Sequence, residues 1–360
     1  MKDNNTKFFK LEIAKLLQEK LFIIFLALCL CLNIGLCFVD NYARKTVNQL
    51  SAEDFSQNGE KIYNELNGAS LGTAYYNQRY IHSSILNQKM KEKYDSLQNA
   101  IDILNANNAD LSFYAGEMTP VVHKALFEYQ LKALLIESVV FLALLCLRTF
   151  SLERQNETVS LIYSSQRGRK IAKDKIFANG IVGFLYCAVL FLTSLAIFFS
   201  KWDFSNIWNM NISSSFNYVN DINDPIYMKP FITWASLTVK EFFVYSLLLI
   251  GAFLITWWLI SNILALFISN DLLGGLLIAA ILVLPYFGVM MFPGLQLTIP
   301  FYLSTLTLST VIYYSHMWFT DLGNYSLVTY QEVGIVLIHL LMAVLVIGFV
   351  IRYFQRKELI

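Results

Sequence analysis

Charge is what this sequence has least of. Only 15% of its 360 residues are Asp, Glu, Lys or Arg, while 56% are hydrophobic. A soluble chain of this size carries about 25% charged residues and about 45–50% apolar ones. The deficit excludes an ordinary soluble domain, and the apolar surplus excludes a disordered chain. The 27 basic and 26 acidic residues nearly cancel, leaving a net charge of +1. No concentrated basic face emerges of the kind that nucleic-acid binders present. Cysteine is scarce and confined: Cys29, Cys31, Cys37, Cys146 and Cys187 all fall inside long apolar stretches. The polar segments therefore have no disulfide framework, and the spacings match no zinc site. Catalytic signatures are missing as well: there is no GxxxxGK[ST] phosphate loop, no GxSxG and no HExxH. The four histidines, His82, His123, His316 and His339, are scattered, and His339, within an apolar stretch, reads as a neutral packed imidazole.

What is abundant is long apolar runs. Six of them, 21–39, 133–150, 176–199, 242–268, 272–292 and 333–351, are 18 to 27 residues long. About 20 residues cross a bilayer, so each reads as a helical span, the longer ones tilted. Of the 53 charged residues only Glu137 and Arg148 fall within them. The first run exceeds a signal-peptide core and lacks a convincing cleavage site, so it reads as a retained helix. Lys and Arg set the orientation. Segments 1–20, 151–175, 269–271 and 352–360 hold 14 basic residues in 57 positions, whereas 40–132, 200–241 and 293–332 hold 12 in 175. The first group is expected inside. The expected fold is an all-α membrane protein with six spans and both termini inside, in a bacterial cytoplasmic membrane.

The connecting pieces carry their own patterns. In 6–20, Phe8, Phe9, Ile13, Leu16 and Leu17 recur near helical spacing, with Lys7, Lys10, Lys15, Gln18 and Glu19 on the other side. That predicts an amphipathic helix on the inner membrane surface, its lysines facing anionic headgroups. Segment 40–132 is the one sizeable extracytoplasmic domain. Met90, Tyr94, Leu97, Ile101 and Leu104 alternate four and three apart, predicting a helix near 88–105, and Val47, Leu50, Ile62 and Leu66 extend the helical character. Thr119-Pro120 suits a helix start leading unbroken into the second span. The tract Tyr75-Tyr76-Asn77-Gln78-Arg79-Tyr80 reads as packing within this domain rather than a ligand contact. The rings of 200–241 (Trp202, Phe204, Trp208, Tyr218, Tyr227, Phe231 and Trp234) suit the headgroup level. Segment 293–332 is apolar, yet Pro293, Pro300 and the run Ser304–Thr310 interrupt it. A seventh crossing would also put the basic tail outside, so a re-entrant hairpin is expected.

Two places carry candidate functional residues. Glu137 is the one acid inside a span, and insertion costs of about 2.5–3.5 kcal/mol are absorbed by its apolar neighbours. It is expected to face the bundle interior as part of a translocation path, or else to reach the outer interface. The second place is the loop 151–175, which holds six basic residues. A positive-inside anchor would need those charges but not the Glu153, Thr158 and Leu161-Ile162 that precede most of them; the loop offers Glu153-Arg154, Thr158, Leu161-Ile162, Ser164-Ser165, Gly168-Arg169 and Lys175 in that order. This loop resembles that of the permease subunits of type-2 ATP-binding-cassette transporters. Glu157 stands where that family often has Gly before the Thr, and no Pro follows Ser165. The resemblance covers the membrane core and leaves 40–132 unmatched. It implies that Glu153, Arg154, Thr158, Arg167, Arg169 and Lys175 couple the spans to a separate ATPase subunit, which would hold the ATP and Mg. This chain would itself bind no cofactor and catalyse nothing. A second permease copy, or a related one, would complete the transport path, and the cargo would be an amphipathic or hydrophobic peptide, drug or lipid. Two competing functions are a membrane sensor or resistance module that binds an extracellular antimicrobial peptide and, ranked last, an intramembrane lipid enzyme.

Overall fold

In hydrocarbon, a backbone satisfies its N–H and C=O groups internally only as a helix or a closed barrel. The computed structural model of this chain is helical. It describes residues 2–49, 63, 66–68, 84–107, 122–155, 157–158, 171–216, 231–268, 270–322 and 325–356. The helices α1 (Lys2–Leu17), α2 (Lys20–Leu36) and α3 (Asn41–Val47) open the chain. They are followed by α4 (Ser84–Ala106), α5 (Leu131–Gln155), α6 (Ile171–Lys201) and α7 (Ile212–Phe216). The remainder are α8 (Val239–Phe267), α9 (Asp271–Met291), α10 (Thr298–Thr305), α11 (Leu308–Tyr313) and α12 (Gln331–Arg356). Among the described residues the only β pairing is two isolated bridges, Asn211 with Thr238 and Thr233 with Thr320.

Five helices are long and apolar enough to cross a membrane, and a sixth is counted if the pair Phe9–Leu17 and Lys20–Leu36, bent by 51°, is one span. The six apolar runs of the sequence thus all lie on helices, several of which extend past the run. The best extended is α5. It continues seven π-helical residues, Lys124–Gln130, without a break. Its apolar part covers 30 residues, or about 45 Å at about 1.5 Å per residue, against about 30 Å of hydrocarbon. Thr119 and Pro120 lie outside the described residues, but the helix is already present at Val122.

Chemistry at the helix ends explains where they begin. Thr238 accepts from the Glu241 N–H while the Glu241 carboxylate accepts from the Thr238 N–H, a reciprocal cap that starts α8. Asn270 accepts from the N–H groups of Leu272 and Leu273 and starts α9.

The centre of the bundle is α5, which packs against α2, α6, α8 and α9. Two-thirds of its apolar stretch is buried, whereas 22% is buried in α9 and α12. Those two turn Leu276, Leu284, Leu341, Leu345 and Phe349 outward, an apolar surface matched to lipid rather than water. Close approach of the helices rests on small residues. A Cβ added to Gly183 would lie 2.6 Å from Leu142 of α5, and one added to Gly274 would lie 2.6 Å from Leu147.

Between the long helices, three expectations meet the structure differently. The stripe Met90, Tyr94, Leu97, Ile101 and Leu104 is buried on α4 as its spacing predicts, against Tyr63, Leu66, Ile232 and Trp234. The rings of 200–241 that are described make contacts within the protein. Trp202, Phe204 and Phe231 are buried, and the Trp202 indole N–H donates to the Cys37 carbonyl at 3.2 Å. Phe204 and Trp208 pack on Phe199 of α6, and Trp208 on Phe243 of α8. Tyr218, Tyr227 and residues 75–80 lie outside the described residues.

In 293–332, α10 and α11 have eight and six residues, about 12 and about 9 Å, so neither crosses a bilayer alone. They fold back onto α9, where the Ser309 hydroxyl donates to the Leu282 carbonyl halfway along that helix.

Candidate functional site

The end of α5 that leads into the basic loop is a meeting point of charged side chains. Glu153 and Lys175 flank the loop, and their carboxylate and ammonium stand 2.5 Å apart with exposures of 5% and 2%. The Lys175 ammonium also donates to the Thr149 carbonyl at 3.1 Å and lies 5.6 Å from the centre of the Phe150 ring. One ion pair thus closes the loop at its base, joining α5 to α6. Lys15 of α1 approaches the same carboxylate at 3.5 Å and Glu12 at 3.6 Å.

Beside it, a second network gathers two more elements. Arg148 of α5 pairs with Glu19, at the bend between α1 and α2, at 3.2 Å, and with Asp271 at the start of α9 at 3.8 Å. Ser151 and Gln155 donate to the same Asp271 carboxylate at 2.7 and 3.0 Å. Residues 148–155 therefore hold α1, α6 and α9 together through side chains (two ion networks on one helix end), and a force on the loop reaches all of them.

The helix ends with a left-handed residue. Glu157 has φ 55°, and the Thr158 N–H donates back to the Glu153 carbonyl at 2.9 Å, with the Thr158 hydroxyl 3.3 Å from the same oxygen. This is the 6→1 closure of a helix C-terminus, in which the left-handed position favours Gly. The departure noted in the sequence, Glu157 in place of Gly, falls on the residue whose backbone Gly suits best. Left-handed φ costs a non-Gly residue roughly 1–2 kcal/mol, so Glu157→Gly is expected to raise stability by about 1 kcal/mol. Thermal unfolding in detergent checks this; a lower midpoint would contradict the cap assignment.

Of the coupling residues expected from the sequence, Glu153, Thr158 and Lys175 come together here. Arg154 lies on α5 with its side chain outside the described residues, and Arg167 and Arg169 lie outside them altogether. Sequence reading missed Glu12, Lys15, Glu19 and Asp271. Glu12 did leave a signal, since it sits four residues after Phe8 and four before Leu16, within the apolar stripe of α1. Part of that stripe faces protein: α1 packs on α6, with Leu16 and Glu12 buried. Lys15, expected to face headgroups, faces carboxylates instead, and Leu11 and Leu17 take the outward positions.

Glu137 lies nearer the other end of α5. Its carboxylate is 9% exposed and accepts from the Asn33 amide of α2 at 2.6 Å. It faces the bundle interior, not the outer interface. His339 is held by its own helix, Nδ1 donating to the Ile335 carbonyl at 2.8 Å. Among the described residues no group of three His, Cys, Asp or Glu side chains is placed to hold a metal ion. No family model, curated protein or solved structure matches the chain.

Proposed function

We propose that this chain is the membrane-spanning subunit of an ATP-driven exporter of the type-2 ATP-binding-cassette class, with the ATPase on a separate polypeptide. The observation that carries this reading is the buried Glu153–Lys175 pair at the base of the basic loop. A loop that only anchored the protein to anionic lipid would need surface lysines, not a desolvated pair shared by two long helices and approached by α1. A rigid loop base transmits displacement, because packed helices rearrange as bodies rather than yielding locally. In this reading both termini and the loop face the cytoplasm of a bacterium, 293–332 is a re-entrant hairpin, and a second permease copy completes the path. The cargo is an amphipathic or hydrophobic peptide, drug or lipid, in keeping with spans that hold almost no fixed charge.

The test is reconstitution with a candidate ATPase subunit from the same genome. The purified chain alone is expected to hydrolyse no ATP. The pair together is expected to accumulate labelled cargo in inside-out vesicles when ATP is supplied. Reversing Arg167 and Arg169 to Glu should abolish accumulation while leaving membrane insertion intact. ATP hydrolysis by the chain alone, or accumulation unchanged by the reversal, would sink the assignment. Binding of an antimicrobial peptide with no accumulation would point to the sensor instead.

A further inference from the structure

The Asn33–Glu137 contact is one link of a directed chain. The Asn33 Nδ2 group donates both to Glu137 Oε2 at 2.6 Å and to the Cys29 carbonyl at 2.8 Å. A carbonyl only accepts, so this second bond fixes which end of the amide is nitrogen. Asn33 Oδ1 then accepts from Gln130 Nε2 at 2.7 Å, and Gln130 Oε1 accepts from the Cys37 thiol at 3.7 Å. Donation runs in one sense, from Cys37 through Gln130 and Asn33 to Glu137. It stops at Oε2, for the other carboxyl oxygen, Oε1, is buried with no hydrogen-bond partner.

The groups around this carboxyl are all uncharged. From α2 it meets Cys29 and Asn33, and from α6 the Tyr186 hydroxyl. The Tyr186 hydroxyl is itself buried, beside the Cys29 thiol. The neighbouring stretch 242–268 of α8 holds no charged residue. Among the described residues no Lys, Arg or His pairs with Glu137, although Glu153 on the same helix has both Lys175 and Lys15. A carboxylate stripped of water needs a cation or several strong donors, and one amide N–H with the weak donor of the Cys29 thiol is a poor substitute.

We infer that Glu137 Oε1 is a proton-binding site. In the packed bundle the carboxyl holds a proton on Oε1 and accepts from Asn33 on Oε2. Parting of α2 from α5 admits water, the proton passes to that water as hydronium, and the carboxylate is left hydrated. Closure reverses the exchange, so each closing step takes up one proton and acid favours the closed packing. This site stands whether the chain exports or senses, so its failure and that of the transport reading are distinguishable.

The test uses the full chain in lipid nanodiscs. Infrared difference spectra of wild type against Glu137→Gln should show the carbonyl stretch of a protonated carboxyl, shifted in D₂O and lost in the variant. Glu137→Asp, which keeps the acid, should restore it. Between about pH 5 and about pH 8 an exposed Glu, with a pKa of about 4.3, is already mostly ionised. Over that interval the thermal midpoint of the wild type should fall relative to that of Glu137→Gln. A carboxylate band alone from Glu137 throughout the interval, or a midpoint difference that stays constant across it, overturns the inference. The infrared readout stands on wild type and Glu137→Asp if Glu137→Gln fails to fold.

Discussion

Lys175→Met is expected to destabilise the bundle by about 3 kcal/mol, the low end of what is seen when one partner of a buried ion pair is removed. The wild-type pair is closed at 2.5 Å with both side chains almost fully buried. In the variant the Glu153 carboxylate stays in place without its nearest cation. Lys15, 3.5 Å away and 35% exposed, offsets part of that loss, which is why the low end applies. Glu153→Leu alone strands the Lys175 ammonium in the same way. The double variant, Glu153→Leu with Lys175→Met, should recover most of the stability, since an apolar pair of similar volume often serves as well as a buried ion pair. Under the proposed function it should not recover ATP-driven accumulation, because the attraction that keeps the loop base shut is gone. Thermal midpoints of the four proteins and their vesicle uptake separate the two effects. A double variant that transports as well as wild type would show the pair to be structural only.

The second large effect is expected on the opposite side of the bundle. The Lys93 ammonium of α4 is fully buried, 2.8 Å from the Asp321 carboxylate and 3.0 Å from the Ser326 carbonyl that accepts from it. Burial pushes the ammonium below the ordinary lysine range and Asp321 draws it back up. The segment it holds is fixed from other directions too, with the Phe319 N–H donating to Glu332 of α12 at 2.7 Å and the Trp234 N–H donating to the Phe319 carbonyl at 2.9 Å. Lys93→Ala is expected to cost about 3–5 kcal/mol and to loosen α4, seen as faster amide exchange over 84–106. The neighbouring pair Lys89–Glu92, half exposed at 2.6 Å, supplies the control. Lys89→Ala should cost no more than about 0.5 kcal/mol, as exposed i,i+3 pairs do. Equal losses in the two variants would contradict the burial argument.

The contrast between those lysines marks what a sequence reader sees. The stripe on α4 was legible because burial against one face imposes a period on a helix. The apolar runs were legible because a membrane imposes a length. The break in 293–332 was legible in its prolines and hydroxyls, and the structure puts two short helices there. Ion pairing imposes neither period nor length. Within α4 only its place in the stripe, three residues after Met90 and four before Leu97, sets Lys93 apart from Lys89, and nothing there names its partner, which lies more than two hundred residues on. Glu153 and Lys175 were found only through a resemblance in the loop they flank, and their link to Lys15 was not found at all. Nor do the rings of 200–241 announce their partners, as Trp and Phe serve an interface and a packed core equally well.

The seven π-helical residues before α5 set a different kind of constraint. Each turn there takes in an extra residue, so Val122, Ala125, Leu126 and Gln130 all turn inward while Lys124 turns out. Deleting one residue from Lys124–Gln130 would restore α-helical winding, and because the wide turns are what take up the extra residue, the stretches on either side would keep close to their present headings. The stretch therefore acts as a spacer. It carries one residue more than an α-helix of about the same rotation, and its last residue, Gln130, donates to Asn33 and accepts from the Cys37 thiol.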